Sequence, residues 1–445
     1  MLGPTRMERL ARRVLALSGA EQTEVVLLAQ DSALTRFAGS RIHQNVAESN
    51  IEVRVRVLDG MRAGVASVND LADGSLRQAA RNALSMARLQ SKNPGLGPLP
   101  APRTIPHVNC FARATADCTP HQRAGAVATI CKLASDRGLI ASGALSTATV
   151  ELTVANSFGV IAYCPSTVAE LSTVVMSDDS SGFALATSMD FRDIDAEQVG
   201  CEAVDKALRS RNPRPLAPGH YTVILEEYAV AEMVSTLSYL GFSAQGVQEG
   251  RSFMAGRLGQ SVTGESISIW DDGLDETGLP CPFDFEGTPK TRVDLIKEGI
   301  AVAAVHDSQT AHRDGTMSTG HALPAPNSYG PLPANLFMAP GTMSRQQMLS
   351  RVNRGIWVTR FHYVNAVHPL RTTLTGMTRD GTFWIEGGEL CYGLKNLRFT
   401  QGVLDAFATV RAAGSHTRLL PGMPGSVRVP ALCIDDFSFT GATEF

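Results

Sequence analysis

Two proline-rich breaks constrain this chain more than any other feature. Residues 91–107 (SKNPGLGPLPAPRTIPH) hold five prolines and two glycines, and residues 212–219 (NPRPLAPG) hold three prolines. Proline lacks an amide hydrogen and fixes φ, so neither a helix nor a central strand runs comfortably through such a stretch. The chain is therefore read as three segments: an α+β unit at 1–92, a central α+β segment at 93–212 after the connector, and a β-rich segment at 213–445. A length of 445 residues allows two to three domains with sizeable cores.

Hydrophobic periodicity fills in the segments. Residues 1–22 alternate arginines with Leu10, Val14, Leu15 and Leu17 at helical spacing, which predicts an amphipathic first helix rather than a cleaved leader. Residues 24–29, 32–37 and 41–48 fit extended structure. IEVRVRVL at 51–58 alternates as a half-buried strand does, and Asp59-Gly60 predicts a hairpin turn into 61–68. A helix is predicted over 70–90. Another is predicted over 119–137, with Thr119 as its cap and Pro120 in the first helical position. Strands follow at 147–155, 160–163, 168–176 and 183–189, then a helix over 195–209. Beyond the second break, a strand at 220–225 leads into a helix over 226–240. Turns and short strands then dominate: 266–270, 292–297, 301–307, 357–363, 383–386, 389–392 and 426–439, with a helix over 403–413. The whole reads as α+β: a helix and antiparallel-sheet N-terminal domain, then a mainly antiparallel β C-terminal domain.

Composition removes several functions. Lys plus Arg is 40 against 43 for Asp plus Glu, so no basic excess exists to bind nucleic acid. No apolar run approaches the length of a membrane span. The eight cysteines show no C-x-x-C arrangement, which suits a reducing cytoplasm. H-E-x-x-H, P-loop, G-x-S-x-G and G-x-G-x-x-G signatures are all missing. Glu226, Glu227 and Glu232 lie near the start of a predicted helix, where the helix dipole favours carboxylates. Glu227 and Glu232 point about 140° apart on such a helix, which argues against a metal site made from that pair. His306 with His312, and His362 with His368, are weak candidate ligand pairs, each six residues apart.

The residues that could bind a ligand gather in turn-rich sequence of the last segment. Arg251, His321, Asn327, Arg360, His362 and Asn365 stand among Gly, Pro and aromatic residues. An extended peptide needs such fixed polar groups beside backbone donors and acceptors, so these six are the candidate peptide cleft. On a strand, Arg360 and His362 share one side or Phe361 and Tyr363 do.

Several stretches, in order, resemble the TldD/PmbA family of metallopeptidase subunits (PmbA is also called TldE). They are QEGRSF at 248–253, PFDFEGT at 282–288, RVDLIKEG at 292–299, STGHAL at 318–323, WVTRFHYVN at 357–365, LTGMTRDG at 374–381, FWIEGGE at 383–389 and VPALCIDDFSFTG at 429–441. TldD-type members carry H-E-x-x-x-H on the first helix of this domain and a cysteine ligand near the C-terminus. Counting back from Arg251-Ser252 places that motif at about 235–240, which reads STLSYL here, and 414–428 has no cysteine. The resemblance is therefore to the PmbA-like partner that lacks the zinc site. It implies no catalytic or metal residue and no cofactor in this chain alone, with zinc in a TldD-like partner. It further implies a heterodimer with that partner, or a homodimer, acting in the cytoplasm on unstructured peptides, without nucleic acid or membrane. The alternatives are a self-sufficient metal-dependent hydrolase with a non-standard site, and a non-enzymatic peptide-binding partner.

Overall fold

The computed structural model describes residues 1–442. Strands Gln22–Ala38, Arg41–Asp59, Arg62–Val68, Ile140–Asn156, Ile161–Met176 and Ser181–Ser188 make one antiparallel sheet in the order 3-2-1-4-5-6. The residues before and after the 91–107 connector thus contribute three strands each to a common sheet. Period-two alternation gives that sheet two different faces. Val25, Leu27, Val53, Val55 and Val57 lie under helices Pro4–Leu17 and Asp73–Leu89. Further along, Phe37, Leu145, Leu171 and Val175 lie under helices Pro120–Ser135 and Ala196–Arg209. The other face presents Val26, Leu152, Val154, Ala162 and Cys164 to Phe283 of the C-terminal half.

Two glycines let the helices sit this close. A Cβ on Gly64 would stand 2.1 Å from the Ala83 carbonyl oxygen, and one on Gly182 would stand 2.1 Å from that of Ala203. Both glycines lie on edge strands of the sheet, and both face an alanine-rich helix. The predicted Thr119 cap forms, its Oγ1 accepting from the Gln122 amide in a capping box, and the Asp195 side chain caps the later helix by accepting from the Gln198 amide.

The C-terminal half is built on an eleven-stranded mixed sheet that begins at Gly219–Leu225. Its last strand, Ser426–Ala442, pairs along its length with Asn335–Met338, Leu397–Gly402, Val410–Pro421 and Gly219–Leu225. Two pairings are parallel, Asn335–Met338 with Ser426–Ala442 and Arg354–His368 with Gly219–Leu225; the others are antiparallel. Helix Glu227–Gly241 packs into the core of this half through Val230, Val234, Leu237 and neighbours.

Some elements differ from the sequence reading. The strands expected at 160–163 and 168–176 are one strand, Ile161–Met176, despite Pro165. Pro165 is tolerated because Ser181–Ser188 pairs only from Ala169 onward, leaving this stretch an edge. The helix expected over 403–413 stops at Ala408, and Val410–Pro421 is a strand. The strand expected over 301–307 is only Ile300–Ala301. Asp307 instead opens helix Ser308–Asp314, its carboxylate accepting from the Thr310 amide in a capping box.

Candidate functional site

Helix Glu227–Gly241 follows directly from strand Gly219–Leu225 and is apolar on most of its surface. Glu232, Ser235, Thr236 and Tyr239 make its one open stripe, at the i, i+3, i+4, i+7 spacing of a single face. Thr236 Oγ1 donates to the Glu232 carbonyl at 2.8 Å, and the Tyr239 ring meets the exposed Tyr329 ring edge-on with centroids 5.5 Å apart. Leu240 is 9% exposed and belongs to the core. Two hydroxyls and a buried isobutyl group are not the imidazole and thiolate donors that zinc requires, so positions 235, 236 and 240 do not fit the metal. Among the described residues no three His, Cys, Asp or Glu side chains gather in a way that could hold a metal ion.

Near that stripe lies a second polar feature, produced by irregular strand pairing. Strand Arg354–His368 sends Ile356 and Val358 into the core, and a register shift between Val358 and Arg360 changes the parity. Phe361 therefore joins the same core, where it packs against Phe399 with centroids 4.3 Å apart. Arg360 turns the other way. Its guanidinium binds Asp380, with Nε donating at 2.7 Å, and lies 4.2 Å from the Phe183 ring centroid. Burial lowers the pKa of the half-buried His362, and the neighbouring Arg379 and Arg360 lower it further, so its ring is neutral near neutral pH. On the helix stripe, partial desolvation raises the Glu232 carboxyl while Arg360 opposes it. Arg360, Arg379 and Asp380 line a cavity of about 580 Å³ together with Ser177, Asp179 and Ser210. It thus sits where the tip of the N-terminal sheet meets the C-terminal half.

The other four candidates lie elsewhere. Tyr363 has φ 58 and is exposed, and Asn365 donates to its carbonyl at 3.1 Å. Arg251 pairs on the surface with Glu249, its Nε donating at 2.7 Å. Asn327 holds a turn, donating to the Gly330 carbonyl and accepting from the Tyr329 amide, both at 2.8 Å. His321 is fully buried between Asp271 Oδ1 at 2.8 Å and Thr319 Oγ1 at 2.9 Å. Burial would raise the Asp271 carboxyl, but Lys290 and His321 outweigh it and hold it down at about 2. The structure brings Arg360 and His362 together and leaves Arg251, His321, Asn327 and Asn365 at separate places.

A charged network joins the two halves beside this region. Lys206 Nζ donates to Glu202 Oε1 at 2.8 Å and to Glu226 Oε2 at 2.7 Å. Glu226 Oε1 also accepts from Trp357 Nε1 at 2.6 Å and Thr359 Oγ1 at 3.2 Å. Arg418 donates to Glu202 Oε2 at 3.0 Å and to the Tyr228 hydroxyl. Burial alone would raise the Glu202 carboxyl, yet Lys206 and Arg418 bring it down to about 2. Glu227 pairs with Arg345. Lys206, Glu202, Glu226, Arg345 and Trp357 line a cavity of about 470 Å³. Sequence alone marks Glu226 and Glu227 but carries no signal for their cations, since Lys206 and Arg345 lie on other elements of the chain.

Comparison with known proteins places this architecture. The PmbA/TldA metallopeptidase descriptions match in chain order: domain 1 over residues 23–87, the central domain over 123–211 and the C-terminal domain over 218–441. The chain belongs to the PmbA/TldD family. It is 25% identical over 389 residues to the metalloprotease PmbA of Escherichia coli O157:H7, covering 84% of this chain and 83% of that one. It is 24% identical over 304 residues to the protein MJ0231 of Methanocaldococcus jannaschii, covering 68% of this chain and 70% of that one. The crystal structure of TldE from Thermococcus kodakarensis has the same fold, with a TM-score of 0.88 at 21% identity over 98% of this chain and all of that one.

Proposed function

We propose that this chain is the zinc-free, PmbA-like subunit of a two-chain peptidase that cleaves unstructured peptides in the cytoplasm. The carrying observation is the helix Glu227–Gly241, which offers Ser235, Thr236 and Leu240 where a TldD-type chain has its zinc motif. In this reading the metal and the general base belong to a TldD-like partner. This chain contributes walls and polar contacts for the peptide, with segments 1–92 and 93–212 sharing one sheet and segment 213–445 built on the other. Arg360 and His362 supply a fixed cation and a neutral ring near the helix stripe, where an extended main chain needs side-chain donors and acceptors.

Co-expression with a TldD-like chain tests the proposal. A disordered peptide is cleaved by the co-purified pair and by neither chain alone. Cleavage by this chain alone, insensitive to the partner, would overturn it.

A further inference from the structure

A buried ionic cluster joins the N-terminal sheet to the C-terminal half, away from the Arg360 region. Glu24 and Arg56 face each other across neighbouring strands. By strand alternation Glu24 shares the side of Val26, the side that meets the C-terminal half. Arg56 Nε lies 3.4 Å from Glu24 Oε1, and its two terminal nitrogens each donate to Glu286 Oε1 at 3.1 Å. Glu286 also accepts from the Ser308 amide at 2.9 Å and the Ser308 hydroxyl at 2.7 Å. Close by, Asp284 accepts from the amides of Glu286, Thr288 and Ala322, each at 2.9 Å. Asp307 completes the set, adding its charge beside Arg56 and Glu286. The carboxyls of Glu24, Glu286 and Asp307 thus share one guanidinium, with Asp284 beside Glu286.

The geometry indicates that Glu24 carries a proton, and its surroundings act in the same sense. Its Oε2 is buried with no hydrogen-bond partner, and a charged carboxylate oxygen left dry and unpaired is costly. Burial, with Glu286 and Asp284 adding to it, raises the carboxyl to about 8 against the opposing pull of Arg56. Asp284 is likewise raised to about 7 by burial and by Glu286, and Asp307 is raised for the same two reasons.

We propose that Glu24, Arg56, Asp284 and Glu286 form a proton-dependent latch that fastens the N-terminal sheet to the C-terminal half and loosens when the protons leave. A carboxyl raised in the folded chain holds its proton more tightly there than when unfolded. The latch is therefore full strength at low pH and weakens as pH rises from the ordinary carboxyl range through about 7 to 8. Deprotonation leaves added negative charge around Arg56, which already serves Glu286. The latch also forms part of the wall of a cavity of about 550 Å³ lined by Arg56, Glu286, Asp307 and Asn327, so loosening opens that wall.

Hydrogen–deuterium exchange on the full chain, corrected for intrinsic exchange, tests this at about pH 6 and about pH 9. Peptides covering 22–28, 52–58 and 283–290 exchange at least about tenfold faster at the higher pH, while helix Ala196–Arg209 keeps its protection. Glu24→Gln, isosteric and neutral, removes most of that pH dependence, and Asp284→Asn removes part of it. Equal protection at both pH values in the parent chain would overturn the proposal. So would loss of protection everywhere at once, or a Glu24→Gln variant with unchanged pH dependence. Should Glu24→Gln not fold, the parent chain and Asp284→Asn decide between the same outcomes.

Discussion

Lys206→Met is the sharpest test of how the two halves are held together. The ammonium is 9% exposed and bridges two carboxylates, Glu202 at 17% and Glu226 at 1% exposure. Met fills the stem volume but leaves both acids without their shared cation. Glu202 retains Arg418 and Tyr228 as direct partners, whereas Glu226 keeps the neutral donors Trp357 and Thr359 and only a more distant cation, Arg345. Removing one partner from a buried pair costs about 3–5 kcal/mol, and Glu226 carries most of that cost. Urea unfolding at neutral pH, followed by circular dichroism and tryptophan fluorescence, measures it, and Trp357 reports from inside the network. Glu226→Gln in the Lys206→Met background neutralises the stranded acid and recovers at least about 1 kcal/mol, because contacting residues couple. The pH dependence has a definite sign. Glu202 is depressed to about 2, so its stabilisation is present above the ordinary carboxyl value of 4.5 and is lost as pH falls toward 2. Without Lys206 the Glu202 carboxyl is depressed less, so this acid-range loss shrinks. A loss below about 1 kcal/mol for Lys206→Met, or strict additivity of the double variant, would refute the assignment of Lys206 as the joining charge.

Three further outcomes follow from the site and the fold. Arg360→Ala and His362→Ala weaken binding of a disordered peptide to the two-chain complex by at least about fivefold, about 1 kcal/mol, with the fold intact by circular dichroism. Unchanged binding by isothermal titration would remove both from the cleft. The combined change Ser235→His, Thr236→Glu and Leu240→His confers no hydrolysis on this chain, since the remaining ligand and its supporting contacts are missing. It also lowers stability by about 2 kcal/mol or more, because an imidazole replaces core Leu240. Thr119→Ala breaks the capping box over Pro120–Ser135 and costs about 1 kcal/mol in the same unfolding assay.

Legibility in the sequence followed the range of the interactions. Local signals worked: the Thr119-Pro120 cap, the Asp59-Gly60 turn and the alternation of residues 51–58 all predicted structure that forms. A helix over 403–413 is cut short because Val410–Pro421 forms a hairpin with the next strand, Ser426–Ala442, which pairs Val410 with Ile434 and Ala413 with Leu432. At the site, alternation left two choices for strand Arg354–His368. The register shift after Val358 put Phe361 in the core and Arg360 outside it, and no local sequence pattern announces such a shift. His321 looked like a loop ligand, but its two ring nitrogens are taken by Asp271 and Thr319. The Glu24–Arg56–Glu286 cluster was invisible for a related reason. Glu24 and Arg56 read as ordinary members of alternating strands until the pairing and the C-terminal half were placed against them.

The central claim is that this chain completes a peptidase without holding its metal. Zinc measured by plasma mass spectrometry, on the chain alone and on its complex with a TldD-like partner after exhaustive dialysis, addresses that most directly. The expected result is no stoichiometric zinc on the chain alone and about one zinc per two-chain complex, since a catalytic zinc needs about three protein ligands. One tightly held zinc on this chain by itself would contradict it.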